Sequence, residues 1–354
     1  MNDTFFASET ERSVADSALE FARGSGGVQR ARTLRDRSPQ FDGRIWQQVV
    51  RLGWLGMQVP EELGGSGLDA QVTVALAESL GRVLLPEPVI QAMAAANFLS
   101  ACAKTGPDSL LEKLLAGKLL CAFAGANLGS ADSELRFSHI ADCYDGTRIL
   151  AACGDGVTFS VRELDHGVGD ISWATVSCVD GSILTTCVAS RRAWDNAAVV
   201  ASGPEAQAAF EHAADVMRLG YAAYLVGLTH EALQMALDFM KIRSQFGTPI
   251  GAFQALQHRA ATCYVEVAAS RAMVHEAAEC FRSPTRARAV AAAKAKASAA
   301  ALHVTKECVQ FHGAMGFADE HDIGLYLRKA MAFASRLGGQ AQQIARFAQL
   351  TRAA

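Results

Sequence analysis

From about residue 206 to residue 243 the chain runs with no proline and little else to interrupt a helix. No other feature limits the fold as much, because so long a helix needs partners of similar length to cover it. Gly203-Pro204-Glu205 supplies its start, and Gly220, Ala223 and Gly227 leave room for close packing. Gly247-Thr248-Pro249-Ile250-Gly251 breaks the pattern, which resumes from Phe253 to Phe281. Ser283-Pro284 marks a turn, and Arg286 to Phe311 is an alanine-rich stretch of high helix propensity. A glycine-broken loop follows at Gly313 to Phe317. The last helix begins near Asp319 and carries Leu325, Leu327, Met331 and Phe333. Long helices joined by short loops predict an antiparallel four-helix bundle over 203–354.

Residues 1–117 also read as mainly helical. Apolar residues from Ile45 to Leu55 fall at helical spacing, with Gly53 and Gly56 as stops. Val59 to Gly67 is a loop by its proline and glycines. Val72 to Leu84 reads as a helix ended by Pro86 and Pro88, and two more fit 89–103 and 108–116. Residues 118–202 differ in character. Short runs of Val, Thr, Ile and Cys alternate with turn signals at Asp145-Gly146, Gly154-Asp155-Gly156 and Asp180-Gly181, and strands are expected at Trp173–Val179 and Ile183–Ala189. The expected class is mainly α with a small β domain: an N-terminal helical domain (1–117), a middle β sandwich or barrel (118–202) and the C-terminal bundle.

Composition narrows the function classes. Half of the 354 residues are hydrophobic, 19% are charged and the net charge is −3. Such a chain buries a sizeable core. It lacks the basic excess of a nucleic-acid protein and any long charge-free apolar run that would span a membrane. The opening MNDTFFASETERSVAD lacks the basic and apolar regions of a signal peptide, so the expected location is the cytoplasm. The nine cysteines form no CxxC or CxxH pair. They are expected to be reduced, buried thiols, and no metal site is expected.

The chain has no GxGxxG, P-loop, GxSxG or HExxH motif. Two stretches are informative. In Arg243-Ser244-Gln245-Phe246-Gly247-Thr248-Pro249-Ile250-Gly251-Ala252-Phe253-Gln254, the permanently charged, planar Arg243 suits an anionic diphosphate. Gln245 and Gln254 add neutral donors. Taken alone, its composition favours a polar helix–loop–helix connection. In Gln310-Phe311-His312-Gly313-Ala314-Met315-Gly316-Phe317, the glycines permit close backbone approach to a ligand, or simply break an interhelix loop. His312 and His321 read as structural histidines, because no nucleophile partner lies beside them in sequence.

Together these stretches resemble the acyl-CoA dehydrogenase family. RSQFGTPIGAFQALQHRAA is similar to its R-x-x-F-G-x-x-I-x-x-F-Q segment, and QFHGAMGFADEHDIGLYLRKA to its Q-x-x-G-G-x-G segment and following helix. LGWLGMQVPEELGGSGLD and the helix–β–helix order extend the likeness to nearly the whole chain. The resemblance implies FAD as cofactor, an acyl-CoA substrate and a tetrameric assembly. It also implies a glutamate that removes the α-proton while the β-hydride goes to the flavin, and electron-transfer flavoprotein as the electron acceptor. By resemblance, Arg243, Gln245, Phe246 and Gln254 would meet the FAD diphosphate and its surroundings across a subunit interface. Gln310, Gly313 and Ala314 would lie along the adenosine half of a neighbouring subunit's FAD. Asp215 and Arg218 match a substrate-contacting stretch.

The departures are informative. The two positions where family members carry the glutamate are Leu337 and Met217 in this chain, and neither accepts a proton. Of the family's T-E-P-x-x-G-S-D-like loop only Gly129-Ser130-Ala131-Asp132 is reminiscent, no W-I-T-N-like strand is visible, and the β domain is short. The pattern resembles the base-less subunit of bacterial α2β2 acyl-CoA dehydrogenases, such as those acting on steroid side chains. That implies a homologous partner subunit bearing the base. Three alternatives stay open: a self-sufficient dehydrogenase with an unusual base such as Asp215 or Glu320, a non-enzymatic acyl-CoA-binding or assembly subunit without flavin, and a flavin monooxygenase or nitroalkane oxidase on the same fold.

Overall fold

The computed structural model describes residues 8–102, 109–127, 134–154, 158–165, 167 and 169–352. The helices in chain order are α1 (Glu9–Gly24), α2 (Gly27–Leu34), α3 (Gly43–Arg51), α4 (Ala70–Arg82), α5 (Val89–Cys102), α6 (Leu110–Leu115), α7 (Arg191–Asn196), α8 (Pro204–Ile242), α9 (Gln254–Glu279), α10 (Arg286–His312), α11 (Ile323–Ser335) and α12 (Gln340–Arg352). The strands are β1 (Cys121–Asn127), β2 (Glu134–Ala141), β3 (Arg148–Gly154), β4 (Phe159–Leu164), β5 (Ile171–Ser177), β6 (Ile183–Ser190), β7 (Ala198–Ser202), β8 (Ser244–Gln245) and β9 (Thr248–Pro249). They gather into two compact units. One comprises Met1–Arg35, Ala70–Pro86 and Arg218–Ala354, and the other Asp36–Asp69 and Glu87–Met217.

The second unit holds the β structure. A four-stranded sheet has the order β1-β3-β4-β7, with β1 and β3 parallel, and a three-stranded antiparallel sheet has the order β2-β6-β5. Their inner faces meet in a core of Phe137, Ile149, Leu164, Cys187 and Trp194, as in a sandwich. The expected strands are present, and β5 is an edge strand whose Val176 faces solvent. The first turns of α8 join this unit through aromatic packing, with Phe210 at 5.3 Å from Phe123 and 6.0 Å from Phe159. The expected Gly129–Asp132 loop, residues 155–156 of the expected Gly154–Gly156 turn, and positions 103 and 108 at the edges of two expected helices lie outside the described residues.

In the helical unit α10 packs against α9, α11 and α12, α9 against α4, and α4 against α1. The last of the four expected long helices is split by a turn at residues 336–339 into α11 and α12. It starts at Ile323 because residues 313–322 form a tight turn and a loop first. α4 lies close against α8 because both present glycine: a Cβ on Gly81 would fall 2.1 Å from the Tyr224 carbonyl oxygen, and one on Gly227 only 1.9 Å from that of Glu78. Below this contact Glu78 is buried and accepts from Arg271 Nε at 2.7 Å, with His275 at 3.9 Å. Burial pushes the Glu78 carboxyl up, but His275 and the Arg271 charge outweigh it and hold the group below the ordinary carboxylate value. Six of the nine thiols are buried, and Cys102, Cys178 and Cys280 are only partly so, which corrects the expectation that all were buried. Among the described residues no helix is long and apolar enough to cross a membrane.

Candidate functional site

The two informative stretches meet at one end of the helical unit. α8 ends at Ile242, and a hairpin of β8 and β9 follows with Phe246 and Gly247 at its tip. Both tip residues have positive φ, 53° and 78°, as a two-residue hairpin of this kind requires. Glycine adopts that conformation freely, whereas Phe246 is held there against its preference, with its ring 94% exposed. The Ile250 N–H closes the loop onto the Arg243 carbonyl at 2.8 Å.

α10 reaches the same end. Arg259 of α9 donates to Glu307 of α10 at 2.7 Å and lies 5.3 Å over the Phe311 ring. Phe239 near the end of α8 stacks on His312 at 4.5 Å. Gly313, with φ 58°, turns the chain into the tight helix Gly313–Phe317. Gly316 lies so close to Val309 that a Cβ there would fall 2.4 Å from the Val309 carbonyl oxygen.

Arg243, Gln245, Gln254 and Gln310 all present exposed side chains, and among the described residues none of them makes a side-chain hydrogen bond or ion pair. Gly313 is half-buried and Ala314 exposed beside them. Ile242, Phe317 and Met315 are 79%, 78% and 50% exposed on the same two segments. A guanidinium and carboxamides are donors of the kind that suit an anionic dinucleotide.

His312 is buried, and its Nδ1 pairs with the Cys308 carbonyl at 2.7 Å. Burial lowers its pKa, and His321, 4.5 Å away between ring centroids, lowers it further. The following loop is clamped by α2. Asp319 accepts from Arg35 at 2.8 Å and Arg328 at 2.7 Å, and Asp322 accepts from Arg32 at 2.8 Å. Hydrogen bonds from Arg35 and Arg328 hold the Asp319 carboxyl far below its ordinary value.

The two positions expected to correspond to the family's base lie in different surroundings. Met217 is buried on α8. Leu337 sits half-buried in the α11–α12 turn with φ 56°, and its carbonyl accepts from Gln343 at 2.6 Å. Asp215 is wholly enclosed, Arg218 is half-buried, and Glu320 is exposed.

Two residues near the turn escaped the sequence reading. Lys294 is fully buried, and Arg336 lies 4.0 Å over Phe333 and donates to the Tyr221 hydroxyl at 3.3 Å. Lys294, one of two lysines in an alanine run and four residues before Ser298, was the available signal for the first. Nothing local marks the second.

The family model described as acyl-CoA dehydrogenase, N-terminal domain, matches residues 8–118, and the C-terminal domain model matches 208–349. The chain is 29% identical over 340 residues to acyl-CoA dehydrogenase IpdE2 of Mycolicibacterium smegmatis, covering 96% of this chain and 98% of that protein. Its fold is similar to that of the ChsE4-ChsE5 complex from Mycobacterium tuberculosis, with a TM-score of 0.84 and 21% identity over the full length of both chains. It is equally similar to a variant of the Tcur3481-Tcur3483 steroid ACAD, with a TM-score of 0.84, 23% identity and 98% of each chain covered.

Proposed function

The chain belongs to the acyl-CoA dehydrogenase family, and from that premise we propose that it is the base-less subunit of a heteromeric, FAD-dependent acyl-CoA dehydrogenase. FAD is the cofactor of this family, and when bound it takes up the hydride from the substrate. Arg243 would hold its diphosphate, with Gln245, Phe246 and Gln254 around it. Gln310, Gly313 and Ala314 would lie along the adenosine half. Asp215 and Arg218 would serve the acyl-CoA thioester. The carrying observation is the contrast at this chain's own sites. Among the described residues the side chains of Arg243, Gln245, Gln254 and Gln310 are exposed and make no hydrogen bond or ion pair, whereas the two expected base positions hold Leu337 and Met217.

The α-proton of a thioester is weakly acidic, so a carboxylate must stand within hydrogen-bond reach of it. A general base is worth roughly 10²–10⁴-fold in rate, and a chain without one is nearly inert alone. A homologous subunit would supply the glutamate, and electron-transfer flavoprotein would receive the electrons. The steroid ACAD and the ChsE4-ChsE5 complex among the structural neighbours support an α2β2 assembly and steroid side-chain CoA esters as the substrate class.

The test is to purify the chain alone and together with a glutamate-bearing homologue, and to record visible absorbance, native mass and acyl-CoA oxidation. The expected outcome is an inactive, flavin-poor single chain and a yellow, active complex. Turnover by the single chain at ordinary rates would overturn the reading.

A further inference from the structure

Lys294 lies in the middle of α10 with none of its surface exposed. Its ammonium donates to the Ser298 hydroxyl at 2.9 Å and to the carbonyls of Phe333 and Ala334 at 3.3 and 3.0 Å. Those carbonyls belong to the last turn of α11, which a helix leaves without internal partners. All three acceptors are neutral, and among the described residues no carboxylate pairs with the lysine. The charged groups acting on it are Arg218 from α8 and Arg336 from the turn after α11. From α12, the neutral Gln343 donates to the Leu337 carbonyl and the neutral Gln342 accepts from the Gly339 N–H at 2.9 Å. Burial, and then the two guanidinium groups, bring its pKa down to about 7.

The site accommodates both protonation states. A protonated Lys294 has three N–H groups for three acceptors. A neutral one keeps two for the carbonyls, and its lone pair accepts from Ser298 once that hydroxyl rotates. What differs between the states is repulsion. Arg336 opens a turn in which Leu337 and Gly338 both have positive φ, 56° and 99°, and a leucine there is strained. A charged ammonium buried near Arg336 opposes the packing of that guanidinium on Phe333 and Tyr221.

We propose that Lys294 and Arg336 form a proton-operated latch on the α11–α12 turn, closed while Lys294 is neutral and loosened as opening lets it take a proton from solvent. The exchange is a single proton, so opening becomes about tenfold more frequent per pH unit as pH falls toward 7, then levels off. Hydrogen exchange of the 335–339 amides, read by mass spectrometry on the full chain from pH 6 to 9 and corrected for intrinsic rates, tests this. The expected result is a slope above pH 7 and a plateau below it. Lys294→Met should abolish the slope. Arg336→Gln, which keeps the lysine, should move the plateau's onset to higher pH, so the test stands even where Lys294→Met fails to fold. A wild-type profile without slope, or an unmoved onset in Arg336→Gln, would overturn the latch.

Discussion

Gly227 of α8 meets Glu78 of α4 backbone to backbone, and a Cβ at Gly227 would fall 1.9 Å from the Glu78 carbonyl oxygen. No rotamer relieves a clash with main chain, so Gly227→Ala must push the helices apart and disturb the buried Glu78–Arg271 pair beneath. Overpacking of this kind costs about 1–3 kcal/mol. Chemical denaturation should show the loss, and an unchanged midpoint would mean that α4 and α8 yield easily.

Arg243 is the one permanent cation in the exposed donor set. Losing a hydrogen bond to a charged group costs about 1.5–3 kcal/mol, which corresponds to about 10- to 150-fold in affinity. Arg243→Gln in the assembled complex should therefore lower flavin retention by that order. Arg243→Lys should restore little, because a point charge does not replace a planar fork. Absorbance after gel filtration measures both, and full flavin content in Arg243→Gln would remove this residue from the cofactor site.

Asp215 and Glu320 are the carboxylates that would act as base in a self-sufficient enzyme. With a partner supplying the base, Glu320→Gln should leave turnover of the complex nearly unchanged, and Asp215→Asn should act mainly on KM. A fall in kcat by about 10²–10⁴-fold for either one, the worth of a general base, would transfer the chemistry to this chain.

His312 gives the end of the helical unit where α8 meets α10 a pH dependence of its own. Burial depresses its pKa in the fold, while the unfolded chain binds a proton near pH 6.5. The neutral ring's stabilisation is thus fully present above about pH 6.5 and is lost as pH falls through the depressed value. His312→Phe retains an aromatic face toward Phe239 and should show a shallower acid loss in thermal melts between pH 7 and 5. Parallel curves for the two proteins would assign the acid sensitivity elsewhere.

Much of the fold was legible in the sequence because proline and glycine punctuate it. Pro204, the Gly247–Gly251 break and Ser283-Pro284 stand at or beside the observed helix ends. The end of α11 was hidden, because Leu337 is an unlikely residue for a left-handed turn and its conformation is enforced from afar by Lys294, Gln343 and the packing of Arg336. The convergence of the two informative stretches was not readable residue by residue. It depends on pairings such as Phe239 with His312 and Arg259 with Glu307, which join segments far apart in the chain. The clamp of α2 on Asp319 was invisible for the same reason, since no local pattern marks an arginine whose acceptor lies 284 positions later.

Phe246 stands at the tip of its hairpin almost wholly in water, and Ile242, Met315 and Phe317 are bare on the segments gathered at that end. A copy made in excess of whatever covers these side chains is adhesive toward its own kind and conspicuous to chaperones and proteases. Its abundance in the cell would then follow the supply of its cover rather than its own rate of synthesis.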